Sequence, residues 1–153
     1  MLTPVEEIAG EDDDETGRLR KMADDARAYI TAFRWCPPIK AMYFADGVGG
    51  VVALFLVTFD EMIGGTDDRL WVVVGDLPSV YMVAEIDTAK EALEAYCELM
   101  DDWVHAVLVT HDFSGVFPGD AAATPGNAES LQSRLAFLRE NVIPDAPTES
   151  IDA

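Results

Sequence analysis

Apolar residues recur at three- and four-residue steps in three segments of the chain, which is the spacing of an amphipathic helix. The first segment runs from Thr16 to Trp35 and ends at Cys36-Pro37-Pro38, because proline disfavours helical geometry in the preceding residue and lacks an amide hydrogen. The second extends from Thr88 to about Leu108, and Thr88 with Glu91 forms a capping-box pattern. The third covers roughly Asn127 to Asn141. The pattern predicts three helices.

Between the first two helices the pattern changes to short runs rich in Val, Phe, Tyr, Trp and Leu, separated by clusters of turn residues. The four runs are Lys40–Ala45, Gly50–Phe59, Leu70–Gly75 and Val80–Ile86. Connections this short permit only antiparallel neighbours. We therefore predict an α+β fold in which a four-stranded antiparallel meander packs with three helices, in the order α-β-β-β-β-α-α.

The second run is apolar on both faces of its strand, so something must cover each side. If all three helices packed on one face of the sheet, the other face would stay bare, and a homodimer through that face would be expected. Helices on both faces would remove this argument.

The two ends of the chain differ from its middle in composition. Residues 1–15 contain many acidic side chains and no basic one, which predicts a disordered acidic arm. Residues 144–153 contain two prolines and further acids, which predicts a flexible tail. A single α+β domain is expected over residues 16–143.

Charge sets the class of partner. The chain carries 29 acidic and 10 basic residues, for a net charge of −19, and six of the basic residues lie between Arg18 and Lys40. Such a field favours cationic proteins or ligands, and it disfavours nucleic acid and anionic membranes. We expect no nucleic-acid partner.

Three further observations indicate the compartment. The start of the chain lacks a basic leader with an apolar stretch, and the longest apolar run, Val48–Phe59, is too short to span a bilayer. Cys36 and Cys97 fit no metal-ligand spacing, which favours reduced thiols. A cytoplasmic protein without membrane association is therefore expected.

No catalytic, cofactor-binding or metal-binding motif stands out. His105 and His111 lie near several aspartates, but two histidines six residues apart match no standard ligand spacing. None of the serines lies in a nucleophile elbow. We assign no cofactor, and a non-enzymatic role is favoured.

The second helix carries an acidic stripe opposite its apolar one. Like charges three and four residues apart repel by a few tenths of a kcal/mol per pair, and acids in the late turns oppose the helix dipole. A solvated face and a docking surface for a basic protein both explain it. The candidate partner-binding residues are Glu91, Glu94, Glu98, Asp101 and Asp102.

The leading hypothesis is a protein–protein interaction module that uses this acidic surface, and an immunity- or inhibitor-type protein that masks a basic toxin or nuclease is its specific form. The alternative is a small-molecule-binding protein or enzyme with a pocket between sheet and helices. The candidate pocket residues are Trp71, Asp76, Tyr81, Tyr96, Trp103 and His105.

One segment carries a resemblance to other proteins. Leu70–Pro78 reads LWVVVGDLP and is followed by Tyr81 and by the Ala92–Cys97 segment. It resembles stretches in small bacterial proteins that carry no assigned function. The resemblance implies a bacterial origin and no particular activity.

Overall fold

Five antiparallel strands form the central sheet of the computed structural model, which describes residues 2–63, 67–83, 85–116 and 122–151. The strands pair in chain order. Their bounds are β1 Thr3–Pro4, β2 Ile39–Val48, β3 Val52–Ile63, β4 Asp67–Gly75 and β5 Val80–Val83. The α+β class and the antiparallel meander are confirmed, but the prediction of four strands is wrong. The additional strand, β1, has only two residues and includes a proline, so it has no periodic signal in the sequence.

Three helices accompany the sheet, as predicted, and each begins at a side-chain cap. Asp12, Thr88 and Thr124 each accept a hydrogen bond from the amide three residues later, at 2.8, 3.1 and 3.2 Å. The helix bounds are α1 Asp13–Thr31, α2 Ala89–His105 and α3 Pro125–Phe137. Wider π turns extend α2 through Ala106–Thr110 and α3 through Leu138–Val142. Among the described helices, none is both long and apolar enough to cross a membrane.

The helices lie on both faces of the sheet. Residues 52–57 of β3 are all at most 3% exposed, and their side chains alternate between two cores. Ala53, Phe55 and Val57 belong to the core that α1 covers, whereas Leu54 and Leu56 belong to the core beneath α2 and α3. The homodimer therefore loses the bare sheet face that suggested it.

The segment before α1 packs against the domain. Ile8 is 1% exposed and belongs to the core on the α1 side. Its carbonyl accepts a hydrogen bond from Arg20 Nη2 at 3.2 Å, and the Gly10 amide donates to Thr16 Oγ1 at 2.8 Å. Part of the segment predicted as an acidic arm therefore contacts α1, and Ile8 supplies its buried apolar side chain. Met1 lies outside the described residues.

The last residues lie against the start of α2. The Pro147 carbonyl accepts from the Lys90 amide at 3.0 Å, and the Ile151 amide donates to the Asp87 carbonyl at 2.8 Å. The first of these bonds satisfies an amide in the first turn of α2 that has no partner within the helix. The expected tail thus contacts α2 up to residue 151, and residues 152 and 153 lie outside the described ranges.

Replacing Ile8 tests the packing of the first segment. Ile8→Ala should lower the free energy of unfolding by about 2–5 kcal/mol, because it removes a buried side chain and leaves a cavity. Glu7→Ala, at the exposed neighbouring position, should change it by less than about 0.5 kcal/mol. Urea denaturation measures both, and equal midpoints for the two variants would show that this segment does not pack against the core in solution.

Candidate functional site

The outer face of α2 presents the predicted acidic stripe to solvent. All five candidate residues are exposed, whereas the opposite face of the helix is buried in the core. The buried side chains include Leu93, Tyr96, Cys97, Met100 and Val104. Thr88 caps the start of the helix, and burial of the apolar stripe leaves the opposite face outward. The exposed acids of this stripe are Glu91, Glu94, Glu98, Asp101 and Asp102.

Asp101 differs from the other four acids because it has a basic partner. Arg139, in the π turn after α3, donates from Nη2 to Asp101 Oδ2 at 2.5 Å and from Nη1 to Oδ1 at 3.3 Å. The hydrogen bond to Asp101 raises the pKa of Arg139. Within the described part of the chain, no basic side chain forms an ion pair with the remaining four acids. The stripe therefore has one neutralised side, toward α3, and one charged side.

The charged side borders a groove between α2 and the edge strand β5. The groove has a volume of about 380 Å³. Its apolar wall consists of Met82 from β5, which is 6% exposed, and the half-buried Ile86, Ala95 and Leu99. Glu98 and Asp102 also line it and are exposed. An apolar groove with an acidic rim thus adjoins the stripe.

The six residues of the predicted pocket do not form one site. Tyr96 and Trp71 are both 0% exposed and belong to the core beneath α2 and α3. Tyr96 Oη donates to the Pro78 carbonyl at 2.7 Å, and Trp71 Nε1 donates to the Ile86 carbonyl at 2.9 Å. Their polar atoms thus serve internal hydrogen bonds.

Tyr81 and His105 do not line the groove that contains Asp76 and Trp103. Tyr81 belongs to an aromatic cluster on the α1 side of the sheet, with ring centroids 5.1 Å from Phe33 and 5.2 Å from Trp35. Its edge also borders the groove beside β5. His105 is exposed at the end of α2.

Asp76 and Trp103 are the two that the structure brings together. They line a groove of about 430 Å³ between the β4–β5 turn and α3, with Asn127, Ser130 and Arg134. Arg134 Nε donates to Asp76 Oδ2 at 3.0 Å, and its Nη2 contacts the same oxygen. Asn127, Ser130 and Arg134 are exposed, so the groove is open to solvent. Sequence reasoning missed Arg134 and Arg139, which show only as two basic residues near the end of the third helix.

The turn that carries Asp76 depends on Gly75. Its φ is +145°, a backbone conformation that favours glycine, and an added Cβ would lie 2.2 Å from the Val51 carbonyl oxygen. The Asp76 amide in turn donates to that oxygen at 2.9 Å. Backbone contacts with the preceding hairpin therefore fix the backbone of the turn at Asp76, and Arg134 contacts the Asp76 carboxylate.

His111 and Asp112, just after α2, take part in backbone hydrogen bonds that shape the end of the helix. His111 adopts φ 56° and donates its amide to the Ala106 carbonyl at 2.8 Å, which ends the helix. Asp112 accepts from the Ser114 amide at 3.0 Å, and this bond lowers the pKa of Asp112. In the described residues, no group of three or more His, Cys, Asp or Glu side chains is placed to hold a metal ion.

Comparisons of the chain with protein-family models, with curated proteins and with solved structures find no match in any of the three. Two surface features of this chain are candidates for binding. They are the acidic face of α2 with its adjoining groove and the groove that contains Asp76.

The thiol beneath the acidic stripe generates a pH prediction. Cys97 is 1% exposed, and burial raises its pKa from 9.0 to about 11. Well below pH 9 the thiol is protonated in both the folded and the unfolded chain, so its ionisation does not reduce the free energy of unfolding. Between pH 9 and 11 the unfolded thiol ionises first, so the free energy of unfolding should fall by about 1 kcal/mol per pH unit, which is below the limit of about 1.4 kcal/mol for one full proton.

Cys97→Ala isolates that contribution from other groups that titrate in the same range. The variant should be less stable overall because of the cavity, but its stability should decline less steeply above pH 9 than that of the wild type. Urea denaturation from pH 8 to 11 measures both slopes. Equal slopes would contradict the assignment to Cys97.

Proposed function

We propose that this chain is a non-enzymatic interaction module that binds a cationic protein through the outer face of α2. The observation that carries the proposal is the row Glu91, Glu94, Glu98 and Asp102, which is exposed and has no basic partner among the described residues. Glu94, Glu98 and Asp102 follow each other at four-residue steps, where like charges destabilise a helix by a few tenths of a kcal/mol per pair. A cationic partner would relieve this repulsion.

Long-range electrostatics support the same class of partner. A net charge of −19 accelerates encounter with a positively charged surface and repels polyanions. The specific form of the proposal is an immunity- or inhibitor-type protein that masks a basic toxin or nuclease. We place the protein in the cytoplasm, which is supported by Cys36 and Cys97 being free thiols.

Charge reversal on α2 tests the proposal. In the first variant Glu91, Glu94, Glu98 and Asp102 are changed to lysine, while Asp101 is kept because it pairs with Arg139. Immobilised wild type should retain a stoichiometric basic protein from a lysate of its source at low salt, and moderate salt should release it, because screening weakens exposed charge pairs. The variant should retain none of it.

A matched control distinguishes the α2 face from net charge. Glu7, Asp60, Glu61 and Glu129 are exposed and lie on other elements, so changing them to lysine alters the net charge equally. This control should still retain the basic protein. Equal loss of the basic protein in both variants would show that only overall charge matters. Retention of that protein by the α2 variant would overturn the proposal. Circular dichroism checks that both variants fold.

A ligand-binding role is the second candidate, and the groove that contains Asp76 is the observation that favours it. Several polar side chains converge there beside Trp103, and convergent polar groups next to an aromatic side chain are one feature of small-molecule sites. The Asp76 carboxylate and the Arg134 guanidinium contact each other, so a ligand with charged groups could bind both by replacing this ion pair with pairs of its own. The open groove and the internal pairing make this role weaker than the first.

Arg134→Ala tests this second role. Both side chains of the Asp76–Arg134 pair are largely exposed, so the free energy of unfolding should change by less than about 1 kcal/mol. A small molecule bound in the groove should raise the melting temperature of the wild type and not that of the variant. A thermal-shift screen in which no compound separates the two proteins would count against the role.

A further inference from the structure

We propose that the groove between β5 and α2 receives an amphipathic segment of the cationic partner. An apolar side chain of that segment lies between Met82 and Leu99, and flanking lysines or arginines contact Glu98 and Asp102. This inference rests on the proposed function and adds to it the location and the chemistry of the bound segment.

The apolar wall of the groove is the first support. Met82 belongs to the core beneath α2, and Ile86, Ala95 and Leu99 pack against that core from outside. They therefore form an apolar surface that continues from the core into an open groove of about 380 Å³. Contiguous apolar surface with a polar rim marks a binding site more often than isolated exposed residues do.

The asymmetry of α2 is the second support. Asp101 and Asp102 are neighbours in sequence, yet Asp101 contacts Arg139 from the α3 side, whereas Asp102 lines the groove. Glu98 lines the groove as well. The fold thus supplies a cation to one side of the stripe and, within the described residues, none to the side that borders the apolar wall. A partner that brings both apolar and cationic groups complements that side.

Charge also decides between a foreign partner and a second copy of this chain. In a two-fold contact the same surface would face itself, and the rim carboxylates of both copies would approach each other. With a net charge of −19 on each copy, this repulsion disfavours self-association. The occupant is therefore a cationic segment of another protein.

A peptide titration followed by nuclear magnetic resonance tests the inference. The probe is the peptide Lys-Lys-Leu-Lys-Lys, and its equally charged control is Lys-Lys-Ser-Lys-Lys. The leucine peptide should bind more tightly and shift the amide signals of Met82, Ala95 and Leu99. No shift at these residues, or equal affinity of the two peptides, would overturn the assignment of the groove.

Two variants with the same change in charge separate this inference from the proposed function. Glu98→Gln with Asp102→Asn removes the two charges at the rim of the groove. It should weaken binding of the leucine peptide roughly three- to tenfold, as expected for two partly exposed charge pairs. Glu91→Gln with Glu94→Gln changes residues outside the groove. It should weaken binding of the leucine peptide less than about twofold, since these charges are farther from the peptide and screened by salt.

Each pattern of results has one meaning. Equal weakening by both double variants keeps the acidic face as the binding surface but removes the groove. Unchanged binding in both variants removes the proposed function as well.

Ala95→Phe narrows the groove without changing charge, so it should abolish the preference for the leucine peptide over the serine peptide. A preserved preference overturns the inference. Sedimentation that shows self-association of the free chain through this face overturns it as well.

Discussion

The fold depends on one constraint, which is that β3 must be buried on both faces. Residues 52–57 are at most 3% exposed, so neither side of the central strand tolerates water. The helix before β2 covers one face, and the two helices after β5 cover the other. Because α2 and α3 form an outer layer, the polar face of α2 lies on the surface of the molecule. The position of the acidic stripe thus follows from the burial of β3.

Packing at the two ends of the chain supports this layer arrangement. Ile8 fills part of the core beneath α1, although the residues around it are mostly acidic. At the other end, the Pro147 carbonyl accepts a hydrogen bond from the Lys90 amide, and the Ile151 amide donates one to the Asp87 carbonyl. The start of α2 is therefore held by both its Thr88 cap and the last residues of the chain. A few apolar side chains and backbone hydrogen bonds outweigh an unfavourable composition.

Local signals in the sequence predicted the helices, the main strands and the exposed face of α2. Caps such as Thr88 and the period of apolar residues act over a few neighbours, so they can be recognised without a structure. Pairing across the fold cannot. Asp101 meets a residue 38 positions away, and Asp76 one that is 58 positions away. Long-range contacts of this kind depend on how whole elements pack, which no local pattern specifies.

The six residues of the predicted pocket lie apart for a related physical reason. Tyr96 and Trp71 were candidates for a pocket between sheet and helices, but the polar atom of each donates to a backbone carbonyl inside the core. Aromatic residues with one polar atom suit such positions because they bury much apolar area while satisfying a single hydrogen bond. An aromatic residue in a sequence is therefore a poor guide to a pocket unless the elements around it are known.

The acidic face and the adjoining groove would have different roles in binding. Exposed charges act at long range, so they chiefly raise the association rate and make it depend on salt. Apolar contacts in a groove act only at close range, so they chiefly slow dissociation and select among cationic partners. The groove is already present in the structure of this chain by itself, so little ordering would oppose binding. Charge alone would attract many basic proteins, whereas the apolar wall beside Glu98 and Asp102 would favour those that also present an apolar side chain.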